Sequence, residues 1–352
     1  MNKCSVILWA IQEGHEMPRT ARRFSDDAPQ WDLSTPQAKA LCMVRRGGAI
    51  LTPWRFASSD RTFGLDLQEH RNAGILWLDA RSEAGHAIEV FAATPARLEM
   101  ELERMALPPR AVFLSPTSDP FHGTEEAQSD AVLCAEILAR HGITTWIRTR
   151  ARITCRLRDR LAALGDRVRV TIPLCTTSFE LNRQLEPGTA SPMTRLRQFD
   201  RLKDAGIPAL ISLDPLVLGV HDRQEQLLPL LRLLFNRGIH QVTAGYLALP
   251  EGAHGRVNSL MGAEQGARVT AEYQYGPLTT LPSGVVAKLL PRITRQRAYA
   301  RLAGLGSGEG VSIHVCRWSN PDFVEKVSPT TIERPRSLRD RWQEALEAAG
   351  RN

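Results

Sequence analysis

The chain has 352 residues, of which 43% are hydrophobic and 24% charged, a composition that describes a soluble globular protein with room for one large α/β barrel or two ordinary domains. Its formal charge of +7 favours anionic partners such as nucleic acid, phosphate or carboxylate. No window reaches the roughly twenty uninterrupted apolar residues of a membrane span, and six cysteines without paired spacing argue against a disulfide framework. A cytoplasmic protein is expected.

Residues 1–36 read as a variable arm. The run Val6-Ile7-Leu8-Trp9-Ala10-Ile11 is short and meets Glu13 without a small-residue cleavage site, and residues 12–36 mix charge, Pro and Ser with little periodicity. A first strand is expected at Phe63–Leu67, a weak one at Ala87–Phe91, and then a helix carrying Leu98, Leu102 and Met105. From residue 111 the alternation becomes regular. Strand 111–115 passes through a Ser/Thr/Asp/Pro turn, with Thr124 as the N-cap, into helix 125–141, which ends at Gly142. Strand 143–149 leads to helix 156–164, strand 167–174 to helix 192–205, and strand 209–213 to a helix opened by Asp222 and Glu225 and closed by Gly238; strand 241–248 completes six. Such repetition predicts a parallel α/β fold.

Beyond Pro250 the pattern loosens. Residues 251–283 are Gly-rich and polar, a helix bent at Pro291 is expected over 287–305, a strand over 311–315 and a tail helix over 337–349, together closing the open side of the barrel. The expected organisation is an arm at 1–36, a barrel at 37–250 and an extension at 251–352.

Ser118-Asp119-Pro120-Phe121 with Glu125 resembles the Thr-Asp-Pro-Tyr-Gln-Pro-x-Glu turn of the spore photoproduct lyase-like radical SAM family. Arg46-Gly47-Gly48 up to Pro53, Phe63-Gly64-Leu65-Asp66, Leu185-Glu186-Pro187, Ser191-Pro192, Asp214-Pro215, Gly219 and Asp222 recur in the family's order, over about residues 37 to 320. The resemblance implies a partial, open (β/α)6 barrel. It also implies a CxxxCxxC loop holding a [4Fe–4S] cluster, whose open iron site chelates S-adenosylmethionine. Here Arg71, Ile75 and Leu78 stand at the three cysteine positions, and Phe91 and Ala93 replace a lysine and an asparagine of the family pattern. Iron–sulfur clusters need thiolates, and the cysteines, at 4, 42, 134, 155, 175 and 316, never come closer than twenty residues to one another. No cluster is expected, and S-adenosylmethionine should bind weakly at most.

At the strand ends, the ligand-binding candidates are Ser118, Asp119, Glu125, Arg148 and Arg150. Asp119 and Glu125 suit ligand hydroxyls or an amine, and equally a turn cap and a helix N-terminus. Arg148 and Arg150 alternate onto one strand face and suit an anion, nucleic acid included, and equally a solvated strand end. Cys175 reads either as a pocket thiol or as a buried inert one. The histidines offer no metal-ligand spacing, and GxGxxG, GxxxxGK[ST] and GxSxG are absent. Three roles stay open: partner or regulator of a radical SAM homologue or other protein, binding module, and non-radical enzyme reusing the S-adenosylmethionine pocket.

Overall fold

The computed structural model describes residues 7–8, 40–44, 49–53, 61–70, 87–91, 93–116, 118–122, 124–250, 252–281, 285–316 and 319–323. The first strands are β1 (Ile7–Leu8), β2 (Ala40–Val44), β3 (Leu51–Pro53), β4 (Thr62–Leu65), β5 (Gln68–His70) and β6 (Ala87–Phe91). Helix α1 (Thr94–Arg104) precedes β7 (Ala111–Leu114), α2 (Glu125–Arg140), β8 (Thr144–Arg148), α3 (Cys155–Ala162) and β9 (Val168–Pro173). Then come α4 (Phe179–Leu185), α5 (Pro192–Asp204), β10 (Ala209–Leu216), α6 (Gln224–Asn236), β11 (Gln241–Tyr246) and β12 (Leu249–Pro250). The last elements are α7 (His254–Met261), α8 (Ala263–Ala271), β13 (Leu278–Thr280), β14 (Val286–Lys288), α9 (Arg292–Gly308) and β15 (Ser312–Val315).

One eight-stranded sheet organises the molecule, in the order β15-β11-β10-β9-β8-β7-β4-β3. Seven of its strands run parallel, and β3 pairs antiparallel with β4 at one edge. Among the described residues the two edges do not pair, so the barrel is open. Strand order follows chain order, and right-handed crossovers therefore put the connecting helices on one face. That face is the core: Val112, Ile147, Val170, Ile172, Ile211 and Leu213 meet Ala131, Leu138, Leu161, Leu196 and Leu202 of the helices. Each fully buried leucine contributes about 1.5–3 kcal/mol, and α6 alone buries Leu227, Leu230, Leu231 and Leu234.

The helix ends follow from local chemistry. Thr124, Thr154, Ser178 and Ser191 accept backbone N–H groups at the starts of α2, α3, α4 and α5. At the end of α2, Gly142 takes φ 72°. There Gly142 N–H donates to Ala139 O and Ile143 N–H to Leu138 O, the paired bonds of a glycine-closed helix.

Several expectations are corrected. Strand β15 is a seventh parallel strand, hydrogen-bonded to β11, where six were expected in the sheet. Residues 251–283 hold α7 and α8. Pro291 precedes α9 as its N-cap instead of bending a helix, and residues 286–288 form β14, because Pro fits a helix start and lacks the N–H an interior turn needs. Asp222 does not open α6, whose N-cap is Arg223; its carboxylate is engaged elsewhere. Of the expected arm, Ile7–Leu8 is described, as β1 paired antiparallel with β2; the rest of the arm, the cluster-position residues Arg71, Ile75 and Leu78, and the tail helix lie outside the described residues. Among the described residues no helix is long and apolar enough to cross a membrane.

Candidate functional site

Strand alternation sorts the side chains at the sheet's carboxyl ends. On β8, Thr145 and Ile147 are buried under the helices, while Trp146 and Arg148 turn to the opposite, inner face and are half-exposed. Trp146 meets Phe113 of β7 edge-on, with ring centroids 6.4 Å apart. Arg148 reaches across to β10, where its Nη1 donates to Asp214 Oδ2 at 3.2 Å. Ser319 Oγ donates to the same oxygen at 3.5 Å. Gly245 makes this approach feasible, since a Cβ there would lie 2.8 Å from Ser319 Oγ and 3.3 Å from Asp214 Cγ. Ser212, one alternation back along β10, is 3% exposed and its Oγ is buried without a hydrogen-bond partner among the described residues.

Asp119 is anchored from three sides. Its Oδ1 accepts from Thr149 Oγ1 at 2.7 Å and from the Phe121 N–H at 3.0 Å, and its Oδ2 accepts from the Arg150 N–H at 2.6 Å. The carboxylate therefore ties the turn after β7 to the end of β8. Ser118 Oγ is buried beside it without a partner among the described residues. Glu125 is exposed in the first turn of α2, where a carboxylate favours the positive end of the helix dipole. The structure brings Ser118 and Asp119 together and leaves Glu125 on the surface.

Arg150 is not a free anion receptor in this arrangement. It is 3% exposed, donates from Nε to Glu186 Oε1 at 3.2 Å, and donates from Nη2 to the Asp214 carbonyl at 2.7 Å. Burial lowers its guanidinium to about 10, partly offset by Glu186. Glu186 also pairs with Arg195, which is 1% exposed and donates to Ala190 O at 2.8 Å and Pro173 O at 2.9 Å. Burial opposes charge on Glu186, yet Arg195 and Arg150 together hold its carboxyl below the ordinary range. Residues from β8, β10 and the α4–α5 segment are thus locked into one buried ionic cluster. Sequence reading singled out Glu186 within Leu185-Glu186-Pro187 but gave no partner for it, because the pairing to Arg150 spans 36 positions.

The remaining thiols and acids are structural in character. Cys175 donates to Pro215 O at 3.2 Å, and burial pushes its thiol well up. Burial likewise raises Cys134 and Cys316, whereas Cys155 is exposed. Asp222 accepts from the Gly219 N–H at 2.6 Å and from Tyr246 Oη at 2.9 Å, and pairs with Arg301. Among the described residues no three His, Cys, Asp or Glu side chains gather as metal ligands.

This architecture defines a class, the spore photoproduct lyase-like radical SAM fold. The chain superposes on spore photoproduct lyase complexed with dinucleoside spore photoproduct with a TM-score of 0.59 at 14% identity, covering 78% of this chain and 81% of that one. A substituted spore photoproduct lyase with bound AdoMet and dinucleoside spore photoproduct gives 0.54 at 14% identity over 72% and 75% of the two chains. No family model matches the sequence, and no curated protein matches it.

Proposed function

We propose that this chain is a radical SAM-fold protein without the cluster, acting as a non-radical scaffold, partner or regulatory protein, for instance of a true radical SAM homologue. The observation that carries the reading is the donor set. Arg71, Ile75 and Leu78 stand where three cysteines are needed, and no cysteine occurs between positions 42 and 134. A guanidinium and two hydrocarbon side chains cannot replace soft thiolates on iron, so the residues present do not fit a [4Fe–4S] cluster. Support also comes from the strand ends, where Asp119, Arg150, Glu186 and Arg195 satisfy one another.

The test is anaerobic reconstitution with iron and sulfide, followed by a chromatographic assay with S-adenosylmethionine and a strong reductant. No charge-transfer absorbance and no 5′-deoxyadenosine are expected. Stoichiometric iron and sulfide retained on the monomer, dependent on Cys155 or Cys175, would overturn the reading.

A second reading, a small polar ligand on the inner face, is favoured by Ser212 Oγ and by half-exposed Arg148. A buried hydroxyl without a partner costs about 1–3 kcal/mol, which a ligand would recover. Titration calorimetry with S-adenosylmethionine distinguishes the two: weak or absent heat fits the scaffold, and tight binding that Arg148→Ala abolishes fits a retained pocket.

A further inference from the structure

The arginines between 148 and 160 divide sharply by partner. Arg158 pairs with Asp159 at 2.7 Å and Arg160 with Glu136 at 2.8 Å, while Arg148 and Arg150 are held at the strand ends. Arg152 and Arg156 are exposed and have no hydrogen bond or ion pair among the described residues. Arg197 and Arg201, one turn apart on the solvent face of α5, are in the same condition.

The fold brings these two pairs to one seam. Gln198, next to Arg197, accepts from the Ile153 N–H at 2.7 Å and donates to Ala151 O at 3.0 Å. Those two bonds bracket Arg152 and hold its loop against α5. Arg156 follows in the first turn of α3. Nearby acids do not neutralise the seam: Asp159 is drawn to Arg158 and Asp200 to Arg237, and Asp204, one turn along α5 from Arg201, makes no ion pair with it among the described residues.

We propose that the α3–α5 seam is a docking surface for the phosphate backbone of a nucleic acid. Four unpaired guanidinium groups on neighbouring elements match a row of phosphates, which they bind through planar, bidentate forks. The overall charge of +7 has the sign that draws a polyanion in. An acidic protein partner is disfavoured because such interfaces centre on buried aromatic or apolar anchors, and Met193 is the large exposed apolar side chain on α5. The surface lies on the helical side of the sheet, with Arg152 and Arg197 two positions along from Arg150 and Arg195 of the buried ionic cluster, and its success or failure is independent of the cluster-less reading.

Fluorescence anisotropy with a labelled mixed-sequence duplex tests it. Four neutralised phosphates predict that wild-type affinity falls about 150-fold between about 50 and about 200 mM salt. The variant R152A/R156A/R197A/R201A should melt like wild type, bind at least about tenfold more weakly at the lower salt, and show a log–log salt slope shallower by about 3.6. Arg268→Ala, on a surface ion pair with Glu264, should change nothing. If the quadruple variant does not fold, R152A/R156A and R197A/R201A should each remove about half of the slope change. Equal binding by wild type and seam variants, no duplex binding at low salt, or competition by polyglutamate at equal charge would each overturn the proposal.

Discussion

Arg150 and Arg152 stand two positions apart and live in opposite worlds. Arg150 is 3% exposed, meshed with Glu186 and a backbone carbonyl, and inseparable from the packing of three strand ends. Arg152 is exposed on the α3–α5 seam and carries no partner among the described residues. The comparison teaches that an arginine-rich stretch is not one feature. Alternation and chain reversal distribute it between a buried ionic lock, where removing a partner is costly, and a solvated surface, where it is nearly free.

The sharpest way to break that contrast is Glu186→Ala. It leaves Arg150 and Arg195 buried and uncompensated, so denaturant unfolding should show a loss of about 3–5 kcal/mol. A loss under 1 kcal/mol would mean that water reaches the cluster. Asp119→Ala removes an acceptor shared by Thr149, Phe121 and the Arg150 backbone, and should cost about 2–3 kcal/mol in the same assay. A neutral result there would dissolve the link between the β7 turn and β8.

The pH dependence follows from His221, whose Nδ1 accepts the Val217 N–H at 3.0 Å. Burial lowers it from 6.5 to about 4 despite Glu186 and Asp222 nearby. Between those values the unfolded chain binds the proton more readily, so stability is lost as pH falls. Urea titrations at about pH 7 and about pH 5 should differ by about 2 kcal/mol. The difference should shrink in His221→Gln, and a persistent slope would move the titration elsewhere. At the other end of the scale, Arg197→Ala should stay within about 0.5 kcal/mol of wild type in unfolding. A larger loss would show that the seam is structural.

Much of the barrel was legible because apolar runs such as Ala111–Leu114 and Gln241–Tyr246 alternate with capped helices, and Thr124 and Gly142 mark boundaries by local chemistry alone. What escaped was either short or non-local. Helix α4 has seven residues, too few for periodicity to declare itself. Strand β15 has a mixed burial pattern and owes its place to pairing with β11. The candidate site divides in the same way: Asp119 and Arg148 could be named from position, but their partners Thr149 and Asp214 depend on tertiary geometry. Asp222 and Glu225 mimic a capping box, yet tertiary bonds from Gly219 and Tyr246 claim Asp222.

The order β7, β8, β9, β10, β11, β15 in the sheet is also the order of synthesis. Each parallel strand that leaves the ribosome finds its neighbour already translated, and no strand from β8 onward must wait for a later segment to supply its first partner. The growing edge advances one βα unit at a time, and while translation lasts it is the newest strand that lies open to mispairing. Strand β15, which reaches β11 only after the α7 to α9 stretch has been made, keeps that edge open longest. In this chain the interval between residues 246 and 312 is where a nascent barrel has most need of protection.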